Sequence, residues 1–225
     1  MAAKMREVLE RRYTKRGEIQ LQRRDGGIYE IIYNGTFLMA SYNNRSEKVL
    51  ARSALERLRP KTDGYQILVG GLGMGFTLQE ALSSPRVSRV SVTEIEEAVI
   101  HWNQRYFQDL NGKVLEDPRT VLIHSDLFDF LNETEERFDA VLIDVDNGPG
   151  WLVLEKNRRL YTEQGLRRIR DVLTPNGVVS TWAEKEDREY WRRLNSVFHQ
   201  AEKIKVRESS PAKGESLIYV AIASG

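Results

Sequence analysis

Four glycines lie within six residues, where an apolar segment gives way to a helical pattern. The segment ends at Gly70, and Gly71, Gly73 and Gly75 follow before helical spacing begins. A strand that turns sharply into a helix leaves backbone N–H groups pointing outward, and glycines let a ligand approach that backbone closely. Ligands of an open α/β sheet bind at the carboxyl ends of its strands, so this loop is predicted to hold a nucleoside or nucleotide. The alternative is that the glycines only permit a tight turn.

The spacing of these glycines distinguishes between ligands. The dinucleotide fingerprint G-x-G-x-x-G requires a third glycine where Phe76 stands, so the strict nicotinamide-cofactor pattern is not met. The order Gly71-x-Gly73-x-Gly75 instead resembles the G-x-G-x-G loop of class I S-adenosylmethionine-dependent transferases, although Val69 stands where those proteins usually carry an acid. This resemblance gains weight from two acidic residues further along the chain.

These two acids follow later predicted strands, at positions where a carboxylate can contact adenosine. Glu94 ends the second strand, 19 residues after Gly75, and there a carboxylate accepts hydrogen bonds from both ribose hydroxyls. Asp126 follows the third strand, where an aspartate accepts from the adenine amino group, caps the next helix, or does both. The predicted donor-binding residues are Gly71, Leu72, Gly73, Gly75, Glu94, Ile95, Asp126, Leu127 and Asp144.

The remaining sequence predicts the strands and helices that must position these residues. Residues 17–42 alternate in hydrophobicity between turn sequences, which predicts three antiparallel strands, and residues 46–59 predict a helix capped by Ser46. From residue 65 buried strands alternate with helices, which argues for a parallel sheet covered on both faces. We therefore expect an α/β chain with a β-meander and helix over 1–59 and a larger domain over 60–225.

Composition excludes several other classes of site. The chain of 225 residues has no cysteine, three scattered histidines and a net charge of +1, so we expect no disulfide, thiolate or metal site. No apolar run reaches the roughly 18 residues of a membrane helix, and the N-terminus lacks a signal-peptide pattern. We expect a cytoplasmic protein without a membrane partner. Residues 1–59 hold 13 Lys and Arg against 7 Asp and Glu, but no aromatic residues interleave with them, so we do not expect a nucleic-acid partner.

With these motifs, the chain resembles the spermidine synthase-like family over nearly its whole length. The matching segments are the glycine loop with residues 77–80, then 92–99, 138–144, 160–166 and 173–177. The segment 144–149, Asp-Val-Asp-Asn-Gly-Pro, is more similar to an orphan branch of that family than to the true polyamine synthases. The resemblance implies a Rossmann-like class I methyltransferase sheet of seven mostly parallel strands, a small N-terminal antiparallel β-meander, a homodimer, and a small-molecule acceptor whose amine lies near Asp144.

Two departures from the polyamine synthases concern charge. Met74 and Asn147 stand where those enzymes carry aspartates that hold the amine of decarboxylated S-adenosylmethionine and the diamine acceptor. Because an uncompensated ammonium is costly in a partly buried site, both losses argue against a decarboxylated donor and a dicationic acceptor. We therefore favour S-adenosylmethionine and methyl transfer to a small polar acceptor. Two alternatives stay open: aminopropyl transfer from decarboxylated S-adenosylmethionine, and a non-catalytic module that binds a nucleoside or RNA.

The acceptor site is predicted at the end of the fourth strand of the larger domain. Transfer from a sulfonium requires mainly that the nucleophile be held close to the electrophilic carbon in a site without water. Asp144 is the carboxylate expected to accept the proton of an amine nucleophile or to orient it, with Asp146 as its backup. The segment 145–161 is expected to form a lid. The predicted acceptor-binding residues are Tyr42, Glu47, Asn147, Trp151 and Tyr161.

Overall fold

The computed structural model describes residues 6–42, 44–207 and 214–225, and it contains two β-sheets. The smaller sheet is an antiparallel meander of four strands in the order β1-β2-β3-β4. Their bounds are Arg6–Thr14 (β1), Gly17–Arg24 (β2), Ile28–Tyr33 (β3) and Thr36–Ala40 (β4). The last three strands were predicted from the sequence. The edge strand β1 was missed because none of its residues is fully buried, so it has no apolar alternation.

The larger sheet has seven strands in the order β10-β11-β9-β8-β5-β6-β7. Their bounds are Tyr65–Gly70 (β5), Val87–Glu94 (β6), Thr120–His124 (β7), Phe138–Ile143 (β8), Leu173–Ala183 (β9), Gln200–Arg207 (β10) and Glu215–Ile222 (β11). The five strands from β9 to β7 are parallel, whereas β11 runs antiparallel to both of its neighbours. This mostly parallel sheet beside a small antiparallel meander confirms the predicted fold class.

Helices cover both faces of the larger sheet. Their bounds are Arg45–Leu55 (α1), Phe76–Ser83 (α2), Glu97–Arg105 (α3), Gln108–Asn111 (α4), Leu127–Glu133 (α5), Glu163–Asp171 (α6) and Arg188–Val197 (α7), with a 3-10 helix at Glu155–Tyr161. Because successive strand residues point to opposite faces, Ile67 and Val69 of β5 pack in one hydrophobic core with Leu50 of α1, while Leu68 packs in the other with Leu166 of α6. Among the described residues, no helix combines the length and the apolar character that crossing a membrane requires.

Helix α1 packs against α2, β8 and β9 of the larger sheet. Asn44, not Ser46, occupies its N-cap position, and the Ser46 hydroxyl donates to Glu47 Oε2 at 2.8 Å. The predicted helix over 46–59 therefore forms, but it ends at Leu55, four residues before the predicted end. Its main contacts are with α2 and the larger sheet. The predicted division at residue 60 stays a prediction.

A partly buried ion pair fixes the meander to the larger sheet just beyond β6. Arg16, in the turn between β1 and β2, donates to both carboxylate oxygens of Glu96, at 2.7 and 3.1 Å. The same guanidinium donates to the Ile95 carbonyl at 3.0 Å, and the Tyr33 hydroxyl donates to Glu96 at 3.0 Å. A two-point contact between a guanidinium and a carboxylate fixes orientation as well as distance. The meander is thereby held over the carboxyl edge of the parallel strands.

We expect the Arg16→Met variant to lower the free energy of unfolding by about 2 kcal/mol, because it leaves the buried Glu96 carboxylate without its cation. Urea denaturation followed by circular dichroism measures this loss. Arg23→Met is the matched control, since Arg23 pairs with Glu7 on the exposed surface of the same meander and should leave the unfolding midpoint unchanged. Equal midpoints for the two variants would contradict the role of Arg16.

Candidate functional site

The carboxyl ends of the parallel strands bring most of the predicted residues to one edge of the sheet. In strand order, this edge carries Trp182 of β9, Asp144 after β8, the glycine loop after β5, Glu94 of β6 and Asp126 after β7. Neighbouring strands lie about 4.8 Å apart, so three strand spacings, or roughly 14 Å, separate Asp144 from Asp126. All five features line one cavity of about 1080 Å³, its open mouth included.

Two of the loop glycines line the cavity, and a third begins a helix. A Cβ added to Gly71 would lie 2.3 Å from the backbone oxygen of Asp144, and one added to Gly73 would lie 2.9 Å from Met39 Sδ. Both glycines also have φ angles in the left-handed region, at +91° and +51°. Gly75 caps α2 and packs against α4, and it does not line the cavity. The loop therefore needs glycine for close packing on both of its sides.

Glu94 joins the glycine loop to the end of β6. The Leu72 N–H donates to Glu94 Oε2 at 3.0 Å, and the Glu96 N–H donates to Oε1 at 2.8 Å. Burial raises the pKa of the Glu94 carboxyl, and the backbone hydrogen bonds oppose that rise. Each carboxylate oxygen can accept a second hydrogen bond, so Glu94 keeps acceptor capacity toward the cavity. Ile95 and Thr93 line the same region, and the buried Thr93 hydroxyl has no partner among the described residues.

Asp126 caps a helix and also lines the cavity. It accepts two backbone N–H bonds from the first turn of α5, at 2.9 and 3.2 Å. Lys156 and Arg159 pair with its carboxylate at 2.7 and 2.8 Å. Burial raises the pKa of Asp126, but the hydrogen bond from Lys156 and the other donors lower it on balance. Asp126 therefore stays ionised beside Leu127, which lines the cavity as well.

Asp144 lies at the centre of the edge, directly after β8. The Thr77 hydroxyl, at the start of α2, donates to Asp144 Oδ2 at 2.5 Å, and the Asp144 N–H donates to the Gly70 carbonyl at 2.8 Å. These contacts hold a carboxylate in the middle of the cavity wall, with Glu94 on one side and Trp182 on the other.

Asp146 organises the loop that follows β8. Its φ angle of +65° is in the left-handed region. Its two oxygens accept from the N–H groups of Asn147, Val153 and Leu154 and from the side-chain amide of Asn157. Asp146 lines the cavity, but these four donors use the lone pairs that a proton acceptor needs. The structure thus places the predicted backup base where it holds the loop together.

The five predicted acceptor-binding residues fall into two groups. Glu47 and Asn147 are buried and line the cavity, whereas Tyr42, Trp151 and Tyr161 do not line it. Tyr42 and Trp151 are exposed. The Tyr161 hydroxyl donates to a backbone carbonyl of the loop at 3.0 Å, and burial raises its pKa well above the usual value for tyrosine. These three aromatic side chains lie outside the cavity wall.

The apolar wall of the cavity was not predicted. Apart from the predicted Ile95 and Leu127, the meander, α3, the loop after β8 and strand β9 supply it through Ile19, Ile31, Tyr33, Leu38, Met39, Val99, Val145, Val153, Leu154 and Trp182. Alternation in β2 and β3 marks one buried face of the meander, but a single sequence does not show what that face packs against. Glu96 also lines the cavity. In the sequence, only its position two residues after Glu94 indicated that it would lie there.

The substitutions Gly71→Ala and Gly27→Ala distinguish the stability cost of steric overlap from that of backbone strain. Both glycines have positive φ angles, at +91° and +75°, but a Cβ at Gly27 would meet nothing within 4 Å. Gly27→Ala should cost about 1 kcal/mol of stability through strain alone. Gly71→Ala should cost roughly 3 kcal/mol and abolish binding of an adenosine nucleoside at the glycine loop, with 5′-methylthioadenosine as the probe. Thermal unfolding and calorimetry measure both effects, and a Gly71→Ala protein that binds the nucleoside normally would contradict the predicted role of the glycine loop.

Comparison with known sequences identifies similar proteins. The spermine/spermidine synthase domain matches residues 49–207. A polyamine aminopropyltransferase from Sulfolobus acidocaldarius is 33% identical over 125 residues, covering 54% of this chain and 39% of that protein. Another, from Thermococcus onnurineus, is 28% identical over 182 residues, covering 80% of this chain and 61% of that protein. The chain therefore spans about two-fifths to three-fifths of the length of these relatives.

Solved structures share the fold. A spermidine synthase in complex with the transition-state analogue AdoDATO matches with a TM-score of 0.81 at 20% identity, over 96% of this chain and 73% of that chain. The spermidine synthase from Thermotoga maritima gives a TM-score of 0.77 at 19% identity, over 96% and 72%. At these identities the likeness shows the fold alone. The domain match, however, covers more than half of the chain and includes the glycine loop, Glu94, Asp126 and Asp144. This protein belongs to the spermine/spermidine synthase family.

Proposed function

We propose that this chain transfers an aminopropyl group from decarboxylated S-adenosylmethionine to an amine. The observation that carries this proposal is the charge of the cavity wall. Among the described residues that line the cavity, none is Lys or Arg and six are acidic: Glu47, Glu94, Glu96, Asp126, Asp144 and Asp146. A wall of this composition favours cations and disfavours a ligand carboxylate.

The same charge supports the decarboxylated donor over S-adenosylmethionine itself. The two donors differ by one carboxylate, which would enter an acidic cavity without a lining cation to pair with. Lys156 and Arg159 lie behind the wall and already pair with Asp126, and Arg16 pairs with Glu96. The decarboxylated donor carries only positive charges, so it matches the wall better.

Two observations revise the expectation of methyl transfer. Met74 is fully buried in the hydrophobic core and does not line the cavity. The absence of an acid at this position therefore does not argue against binding of the donor's amine. Both relatives described above are named polyamine aminopropyltransferases, which favours aminopropyl transfer over methyl transfer. Asn147 does line the cavity, and its neutral side chain bears on the acceptor instead.

The residues present fit a nucleoside sulfonium. Gly71 and Gly73 line the cavity, and Glu94 keeps acceptor capacity for two ribose hydroxyls. Asp126 lies one strand further along the edge, on the side where the adenine amino group would lie. Because it already accepts from two backbone N–H groups, Lys156 and Arg159, it would contribute the shape of this end of the cavity more than a free lone pair. When bound, the donor supplies a carbon made electrophilic by its attachment to a positively charged sulfur.

Asp144 is the group proposed to receive the acceptor's proton. An amine is a nucleophile only after it loses a proton, and Asp144 is held at the centre of the wall by Thr77. The acceptor nitrogen forms a bond to the propyl carbon as the carbon–sulfur bond breaks, the electron pair stays on sulfur, and one proton is released. The meander and the loop held by Asp146 cover this position and limit the entry of water.

The alternative of a non-catalytic RNA-binding module loses its main support. Five arginines of the meander pair with acids in the structure: Arg11 with Glu18, Arg12 with Glu10, Arg16 with Glu96, Arg23 with Glu7 and Arg24 with Glu30. A face neutralised in this way attracts a phosphate backbone weakly. Small molecules are therefore the proposed partners, and the expected homodimer and cytoplasmic location stay predictions.

We expect the affinity for 5′-methylthioadenosine to fall as the pH is lowered. Because its pKa is raised, the Glu94 carboxylate takes up a proton at a higher pH than an exposed glutamate, and a protonated carboxyl no longer accepts from both ribose hydroxyls. Binding should be full above that pKa and lost below it, while Asp126, with its lowered pKa, stays ionised. Calorimetric titrations across the acidic range test this. Glu94→Gln should bind about tenfold more weakly at every pH, and a wild-type affinity independent of pH would contradict the role of Glu94.

Asp144→Asn should lower kcat about 10²- to 10⁴-fold with little change in donor affinity, because it removes the proton acceptor and keeps the side-chain shape. Release of 5′-methylthioadenosine from decarboxylated S-adenosylmethionine, in the presence of a panel of amines, measures turnover. Calorimetry with each donor separately measures affinity. Asp171→Asn, at an exposed position at the end of α6, is the matched control. Preferential binding of S-adenosylmethionine, together with a methylated product, would overturn the proposal.

A further inference from the structure

The order of the strands divides the cavity into two sides. Glu94 and Asp126, which fit the nucleoside, follow β6 and β7 on one side of Asp144. An acceptor that reaches the propyl carbon beside Asp144 must therefore lie on the other side, next to β8 and β9. Asn147 and Trp182 line the cavity there. Asn147 is joined to the end of β9, since its carbonyl accepts from the N–H of Glu184 at 3.2 Å.

The wall near this acceptor side is largely apolar. Trp182 is 8% exposed, and its indole Nε1 has no partner among the described residues. An indole N–H only donates, so this atom pairs with an acceptor and not with an ammonium. Val153 and Leu154 come from the loop that Asp146, the neighbour of Asn147, holds in place. These side chains pack with Trp182 against the same hydrophobic core.

Few carboxylates line this side of the cavity among the described residues. Among the described residues that line the cavity, the carboxylates nearest this side are Asp144 and Glu47, since Glu47 lies in the first turn of α1, which packs against β8 and β9. Asp146 has both oxygens occupied by donors of its own loop. Under the proposed function, the donor's own ammonium and the reacting nitrogen of the acceptor each need a counter-charge. A second ammonium on the acceptor would meet the neutral amide of Asn147 and apolar surface, which is unfavourable.

We propose that the acceptor is a monoamine whose single nitrogen is attached to an apolar body of aromatic or alkyl character, and not a linear diamine. This proposal rests on the aminopropyl transfer proposed above and specifies its acceptor. The amine lies beside Asp144, and the apolar body lies against Trp182 and the aliphatic side chains near it.

The test compares amines that differ in one group. In pentylamine a methyl replaces the second amine of 1,4-diaminobutane, so the pair isolates the second charge. The apparent affinity of each amine, taken from its KM for release of 5′-methylthioadenosine by the full chain saturated with decarboxylated S-adenosylmethionine, should be about tenfold or more higher for pentylamine than for the diamine, and higher still for 2-phenylethylamine. A higher apparent affinity for the diamine, or no turnover of any of the three amines, would overturn this inference and leave the proposed donor intact. Failure of 5′-methylthioadenosine to bind would instead overturn the proposed function.

Two variants examine the acceptor side directly. Asn147→Asp adds a carboxylate and should shift the ratio of affinities about tenfold toward 1,4-diaminobutane. Trp182→Leu should weaken binding of 2-phenylethylamine about five- to tenfold, with a smaller effect on the diamine. Trp191→Leu is the matched control, because Trp191 packs with Lys203 and Tyr219 and does not line the cavity. Thermal unfolding verifies that each variant folds. If a variant does not fold, the comparison of the three amines with the wild-type protein tests the inference without it. An unchanged ratio in a folded Asn147→Asp protein would contradict the inference.

Discussion

The site depends on one buried carboxylate. Glu94 accepts backbone hydrogen bonds from Leu72 and Glu96, so a single side chain holds the glycine loop after β5 and the segment that leads into α3. Burying a carboxylate is costly, and N–H donors to its charged form offset part of that cost. Because the side chain of Glu96 in turn binds Arg16 of the meander, the position of Glu94 influences three separate segments around the cavity.

The same physical device recurs on the other side of the cavity. Asp146, in a left-handed backbone conformation, accepts from backbone groups of the loop after β8 and from Asn157. Loops carry many backbone N–H groups with no strand or helix to satisfy them, and a carboxylate satisfies several at once. Asp146 therefore gives the loop a defined shape and brings Val153 and Leu154 to the cavity wall.

Charge and apolar surface are unevenly distributed along the carboxyl edge of the sheet. The nucleoside side has Glu94 and Asp126, the second with its pKa lowered by neighbouring cations. The other side has Trp182, Asn147 and aliphatic side chains. Asp144 lies between them, where a sulfonium and a nucleophile would meet. In our proposals, this arrangement suits a cationic donor and an acceptor whose second half is an apolar group.

The sequence by itself determined the alternation of strands and helices and placed Glu94, Asp126 and Asp144 at strand ends, because periodicity and strand-to-loop junctions are local properties. A parallel sheet then collects such residues at one edge whatever else the chain does. Tertiary structure alone decided which further side chains face the cavity: Trp182 does, whereas Trp151 and the other two predicted aromatic residues do not. The physical reason is that the wall forms where the meander and the loop after β8 pack on the sheet, through contacts between residues far apart in the chain.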